Sequence, residues 1–176
     1  MSPITYPAPW PPPSRKPDFY DRIPVAGEIL RSICELATGS AYWKSQNEIA
    51  NQIEIQLQAR SGERFEWPAH DEHQIVLEAL QETVCFWKGV DQFCPHPDDP
   101  AVLLFWGPFD DLSPLCFQTA LEKKIERRPI PHVSECIFGP VPPLGFYDVG
   151  KALSSKCTIG EVLNFYVNWM IEDIKS

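Results

Sequence analysis

Histidine, cysteine and carboxylate side chains gather in one stretch, residues 70–98, and they are the side chains of which metal sites are made. His70 and His73 flank Asp71 and Glu72, and Cys94-Pro95-His96-Pro97-Asp98-Asp99 follows on a proline-stiffened segment. Imidazole, thiolate and carboxylate are donors that suit zinc. His70, His73, Cys94 and His96 are therefore the candidate ligands, and the chemistry they would support is that of a small metal-dependent enzyme. Spacing argues the other way. A helix of about 17 residues between the two halves would be roughly 25 Å long, which parts His73 from Cys94 unless the chain doubles back. The intervals match neither a zinc finger nor a ribbon. The simpler expectation is that no cofactor is bound, with His70 and His73 at a helix start and His96 in an exposed turn.

Other constellations are weaker. Gly145 to Lys151 carries the glycine and lysine spacing of a phosphate-binding loop, but Ala152 stands where a magnesium-binding hydroxyl is needed, and Asp148 would face phosphate. The preceding Pro140-Val141-Pro142-Pro143-Leu144 is no strand, so this motif is rejected. Lys123, Lys124, Arg127 and Arg128 form two rows one turn apart near a helix end, where cations complement the helix dipole. Cysteine and histidine pairings are numerous, yet none sits in a glycine-rich elbow or oxyanion-hole context. The expectation leans away from an enzyme.

Charge points to a partner class. The 176-residue chain has a formal net charge of −9. Residues 61–100 hold nine acids against two bases, Arg64 and Lys88, a net of −7. Such a patch repels phosphate backbones and anionic membranes, so nucleic acid and membrane partners are not expected. A basic protein is the partner of favoured sign, and Glu78, Glu82 and Trp10 are the candidate partner-binding residues. A solvated face that only aids solubility is the simpler alternative.

The elements that would position these residues are helical. Ile29, Ile33 and Leu36 lie at helical spacing over about 24–37. Ser45 with Glu48 reads as a capping box opening a helix that runs to about Arg60, and Asp71 with Gln74 as one opening a helix that stops at Gly89. Ser113-Pro114 opens a fourth, ending at Arg128 before Pro129, and Thr158 with Glu161 opens a fifth, running to about Ile174. Residues 101–106 are ambiguous. They could be a buried strand paired with 133–138 in a β-α-β unit, or a two-turn helix capped by Asp99 with Pro100 in its first turn. The proline and Gly107 favour the helix.

The fifth helix is apolar over more than one face, with Asn164 and Asn168 in a narrow stripe. Surrounded by the others, it would require buried partners for both amides; with the stripe as a rim, it could form a two-fold interface. A buried helix in a monomer is the expectation.

Seven prolines in the first 17 residues predict an extended arm, interleaved with Tyr6 and Trp10. Pro9 and Pro12 make a Pro-x-x-Pro step that a proline-recognising domain could read. A strap laid over the arm's own domain is favoured, because aromatics left in water are costly. The start lacks the basic and apolar regions of a secretory signal, and no run of about 18 apolar residues occurs. Six cysteines without an export signal read as reduced thiols in a cytoplasmic protein.

The expected architecture is a mainly α single-domain bundle of about five or six helices over 21–176, packed around the fifth, with the arm over 1–20. A small α/β fold built on 101–138 is the alternative. The expected function is a non-catalytic inhibitor, immunity-type or adaptor protein that engages a basic partner.

Overall fold

The apolar spacings of the chain fold into helices in a computed structural model that describes residues 1–12, 30, 33, 41–60, 62–106, 112–125, 130–138 and 155–174. The helices described are α1 (Ala41–Ala59), α2 (Asp71–Lys88), α3 (Ala101–Phe105), α4 (Leu112–Ile125), α5 (Val133–Phe138) and α6 (Ile159–Ile174). The molecule is mainly helical. Among the described residues no strand forms, and one isolated bridge joins Pro100 to Thr158. The β-α-β alternative for 101–138 is overturned, since both of its would-be strands are helices. Residues 101–105 are buried on every side, the environment in which a short apolar helix is stable without an amphipathic face.

Each longer helix buries one stripe. Ile49, Ile53 and Leu57 of α1 are buried, as are Val76, Leu80 and Val84 of α2, and Val162, Tyr166 and Met170 of α6. α2 packs most extensively on α4 and also lies on α6, while α5 bridges α4 and α6. Phe117 of α4 meets Phe105 and Tyr166 edge-on at ring separations of 5.4 and 5.5 Å, so α3, α4 and α6 share one aromatic centre. The Tyr166 hydroxyl donates to the Pro131 carbonyl at 2.9 Å, and burial pushes this phenol's pKa up.

Helix α6 is not the hub. Asn164 and Asn168 are exposed, so the amides need no buried partners. Of the described helices, α6 lies between α2 and α5 just as α2 lies between α4 and α6, so no single helix is surrounded by the others.

Several boundaries also shift. α1 starts at Ala41, which puts Ser45 inside the helix rather than at its cap. The N-cap of α2 is His70, without a side-chain cap bond, so Asp71 is the first helical residue and faces the dipole with Glu72. Gly89 ends α2 at φ +62°, a conformation that side chains resist. The Thr158–Glu161 box forms as read: Thr158 N donates to the Glu161 carboxylate at 2.9 Å and Glu161 N to Thr158 Oγ1 at 3.3 Å. Leu30 and Ile33 are helical; the rest of 24–37, the 126–129 end of the fourth helix and the 145–152 motif lie outside the described residues.

Asp99 does not cap α3, whose N-cap is Pro100. Its fully buried carboxylate instead accepts from Arg60 Nη1 and Nη2, each at 2.8 Å, from Ile4 N at 2.8 Å and from His96 N at 2.8 Å. A buried charge is tolerated only when paired and fully hydrogen-bonded, and this one is. The pair ties the end of α1, the turn before α3 and residues 1–12 to one point.

Residues 1–10 run along α1, where three side chains at a spacing of four meet them. Arg60 Nη1 donates to Ser2 O at 3.1 Å. Gln56 accepts from Thr5 N at 2.7 Å and donates to Thr5 O at 3.0 Å, and Gln52 does the same for Ala8 N and O at 3.3 Å. Each glutamine thus satisfies both backbone groups of one residue, as a neighbouring strand would. Ile4 is buried, and Trp10 stands between Tyr6 at 5.6 Å and Trp106 at 5.8 Å.

Candidate functional site

Gly89 reverses the chain, and residues 90–96 return alongside α2. Gln81 Nε2 of α2 donates to Phe93 O at 3.0 Å. On the other side, residues 63–67 lead away from a turn at Gly62, with Phe65 N donating to Cys94 Sγ at 3.3 Å and Trp67 Nε1 to Pro95 O at 3.1 Å. Phe65-Glu66-Trp67 alternates in burial: the two aromatics turn inward and Glu66 outward.

A groove of about 580 Å³ opens between α2 and these two segments. Phe65, Trp67, Leu77 and Phe93 give it an apolar floor, and Gln74, Gln81 and Gln92 supply amide donors and acceptors. Glu63 and Asp91 bring carboxylates to its lining and Arg64 one cation. Glu66 and Asp98 are exposed on the adjoining segments. Cys85 also lines the groove, with its thiol pKa pushed up by burial.

The metal-ligand candidates fall into two pairs. The His70 and His73 rings lie 5.7 Å apart at the start of α2, and the His73 imidazole is held below its usual pKa by burial and then by His70. Cys94 is engaged by the Phe65 amide, and the His96 ring packs edge-on to Phe65 at 5.1 Å. The chain does double back, as a shared site would require. Among the described residues, no three His, Cys, Asp or Glu side chains come together as a group that could hold a metal ion.

Of the partner-binding candidates, Glu78 and Glu82 lie on the exposed side of α2, and Glu78 pairs with Lys124 of α4 at 3.1 Å. Trp10 packs within the chain, against Tyr6 and Trp106. Sequence reasoning missed the groove's aromatics, although the Phe-Glu-Trp alternation was a signal for a half-buried segment. It also missed Arg60 and Asp99, for which no local pattern exists, since the pairing spans 39 residues.

No described helix is long and apolar enough to cross a membrane. No family model matches the chain, and neither a curated protein nor a solved structure is similar to it.

Proposed function

We propose that the chain is a non-catalytic binding protein, taking a basic segment of a partner protein into the groove between residues 62–67, α2 and residues 91–95. The observation that carries this reading is the pairing of an aromatic floor with carboxylates at the lining, Phe65, Trp67 and Phe93 beside Glu63 and Asp91. The stem of a lysine or arginine packs on such rings while its charged end reaches a carboxylate. The wider field has the same sign. Asp99 is neutralised by Arg60 and Lys88 is buried, so Arg64 is the one exposed base within residues 62–100. Of the other eight carboxylates there, Glu63 pairs with the Met1 amino group at 3.5 Å and Glu78 with Lys124 at 3.1 Å, and the balance stays acidic. That field steers a cationic partner toward the groove.

Calorimetric titration with a lysine- and arginine-rich peptide carrying one aromatic residue tests the reading. Binding should weaken several-fold as salt rises from about 50 to about 200 mM, over which the screening length shortens. Glu63→Lys with Asp91→Lys should lower affinity at least ~10-fold, and Glu78→Lys with Glu82→Lys should chiefly slow association. Equal binding of a glutamate-rich peptide of the same length would overturn it.

A further inference from the structure

We infer that Cys136 and Cys157 form a thiol–disulfide exchange site, in which Cys136 attacks a low-molecular-weight disulfide and Cys157 resolves the adduct into a Cys136–Cys157 bond. The two residues are 21 positions apart and belong to different elements, Cys136 to α5 and Cys157 to the segment leading into α6. Their sulfurs nevertheless lie 3.8 Å apart. A disulfide needs about 2.0 Å, so the gap closes by a side-chain rotation and a small shift of the segment before α6.

That segment is held against α5 by a specific clamp. Ser155 Oγ donates to Ile137 O at 2.7 Å and accepts from Cys157 N at 3.2 Å. The clamp places Cys157 beside Cys136 independently of any attraction between the thiols. Both sulfurs belong to half-buried residues lining an open depression of about 600 Å³, with Glu135, Lys156, Glu161 and Phe165 around it. A small disulfide reagent can therefore reach them. Cys85, Cys94 and Cys116 lie elsewhere, on α2, on the segment after it and on α4.

Either thiol can donate across the 3.8 Å contact, but the Cys157 thiol also has an acceptor in Thr158 O at 3.6 Å, which keeps the proton on Cys157. A thiolate on Cys136 is then stabilised by the neighbouring thiol, which lowers the Cys136 pKa, while Cys157 is held protonated by the same contact and by burial. In the first step the Cys136 thiolate attacks one sulfur of RSSR, forming the mixed disulfide and expelling RS⁻, which takes a proton. In the second, Cys157 gives up its proton to water as its sulfur attacks Cys136 Sγ, and a second RS⁻ leaves and is protonated. The dithiol is oxidised by two electrons and RSSR is reduced to two RSH, with nothing left over.

The test uses the full chain, reduced and then exposed to 2-hydroxyethyl disulfide, with intact-mass and non-reducing peptide mapping. The wild-type protein should lose two hydrogens in mass and yield one Cys136–Cys157 cross-linked peptide. Cys157→Ser should accumulate a stable mixed disulfide at Cys136. Cys136→Ser should form no cross-link and react at Cys157 at least ~10-fold more slowly than Cys157→Ser reacts at Cys136. A wild-type cross-link between other cysteines, stable adducts on both residues, or no reaction at either would each overturn the proposal, and the wild-type map alone decides it if a variant does not fold.

Discussion

Asp99 shows how one side chain can hold three parts of a chain. It accepts four hydrogen bonds, two from Arg60 and one each from the amides of Ile4 and His96. Replacing it with alanine leaves the Arg60 guanidinium buried without a counter-charge and two amides without acceptors. Asp99→Ala should therefore cost about 3–5 kcal/mol, read as a lower urea midpoint. Arg60→Met with Asp99→Leu should cost much less than the sum of the single changes, because neither charge is then stranded. Lys88 is the opposite case. Burial lowers its pKa from 10.5 to about 8, only partly offset by Glu54, while its ammonium donates to the Trp106 carbonyl and lies 5.9 Å from the Trp106 ring. The folded state thus binds the proton less tightly than the unfolded chain. The resulting destabilisation, ~3 kcal/mol, is complete below pH 8 and is relieved as pH rises from about 8 to 10.5. Lys88→Met should be more stable than wild type at pH 7 by about 2 kcal/mol, allowing for the lost hydrogen bond, and the difference should shrink in denaturation curves taken toward pH 10.

Elements were legible where the signal was local. The Thr158–Glu161 box, Gly89 after α2 and the apolar run at 101–105 each reside within a few residues, and the helices they bound formed. Boundaries went astray where a side chain had a better distant use. Ser45 could cap a helix, but α1 continues back to Ala41 and the serine stays inside it. Asp99 could cap α3, yet a buried Arg60 is a stronger partner than an orphan amide. The seating of residues 1–10 was the least legible feature. Gln52, Gln56 and Arg60 look like an ordinary solvated row of α1, and only the arm running beside them gives the spacing meaning. Because the glutamine bonds are exposed, Gln56→Ala should cost only about 1 kcal/mol. Deleting residues 1–10 removes the burial of Ile4 and Trp10 and one ligand of Asp99 together. The truncated chain should lose at least ~2 kcal/mol in its denaturant midpoint and gain dye-accessible apolar surface; an unchanged midpoint would mean that the strap contributes nothing.

For the whole molecule, counting charges along residues 61–100 does not show which of them reach the surface. The structure withdraws Asp99 and Lys88 into the interior, and the groove gathers Glu63 and Asp91 from segments 28 residues apart. A linear pattern cannot show that gathering, since it depends on the reversal at Gly89. The same limit explains the misplacing of α6 at the centre. Its apolar residues exceed one narrow stripe, but their burial is graded: Val162, Leu163, Tyr166 and Val167 are enclosed, whereas Phe165 and Trp169 are half-buried at the edges. The outward strip then consists of Glu161, Asn164, Asn168, Ile171 and Glu172, in which Ile171 alone is apolar. Two copies meeting through this strip would bring Glu161 and Glu172 of each toward the other's carboxylates, and would bury the exposed amides of Asn164 and Asn168. The apolar area gained would be little more than one isoleucine per copy, far below the ~800 Å² per partner of a stable interface. The helix that read as the best candidate for self-association therefore offers a second copy little apolar area. Light scattering should return a mass near 20.1 kDa, unchanged over a 100-fold range of protein concentration. If the mass instead doubles, Asn168→Arg separates the possibilities: loss of the dimer would place the contact on α6 after all, and its persistence would move the contact to another face.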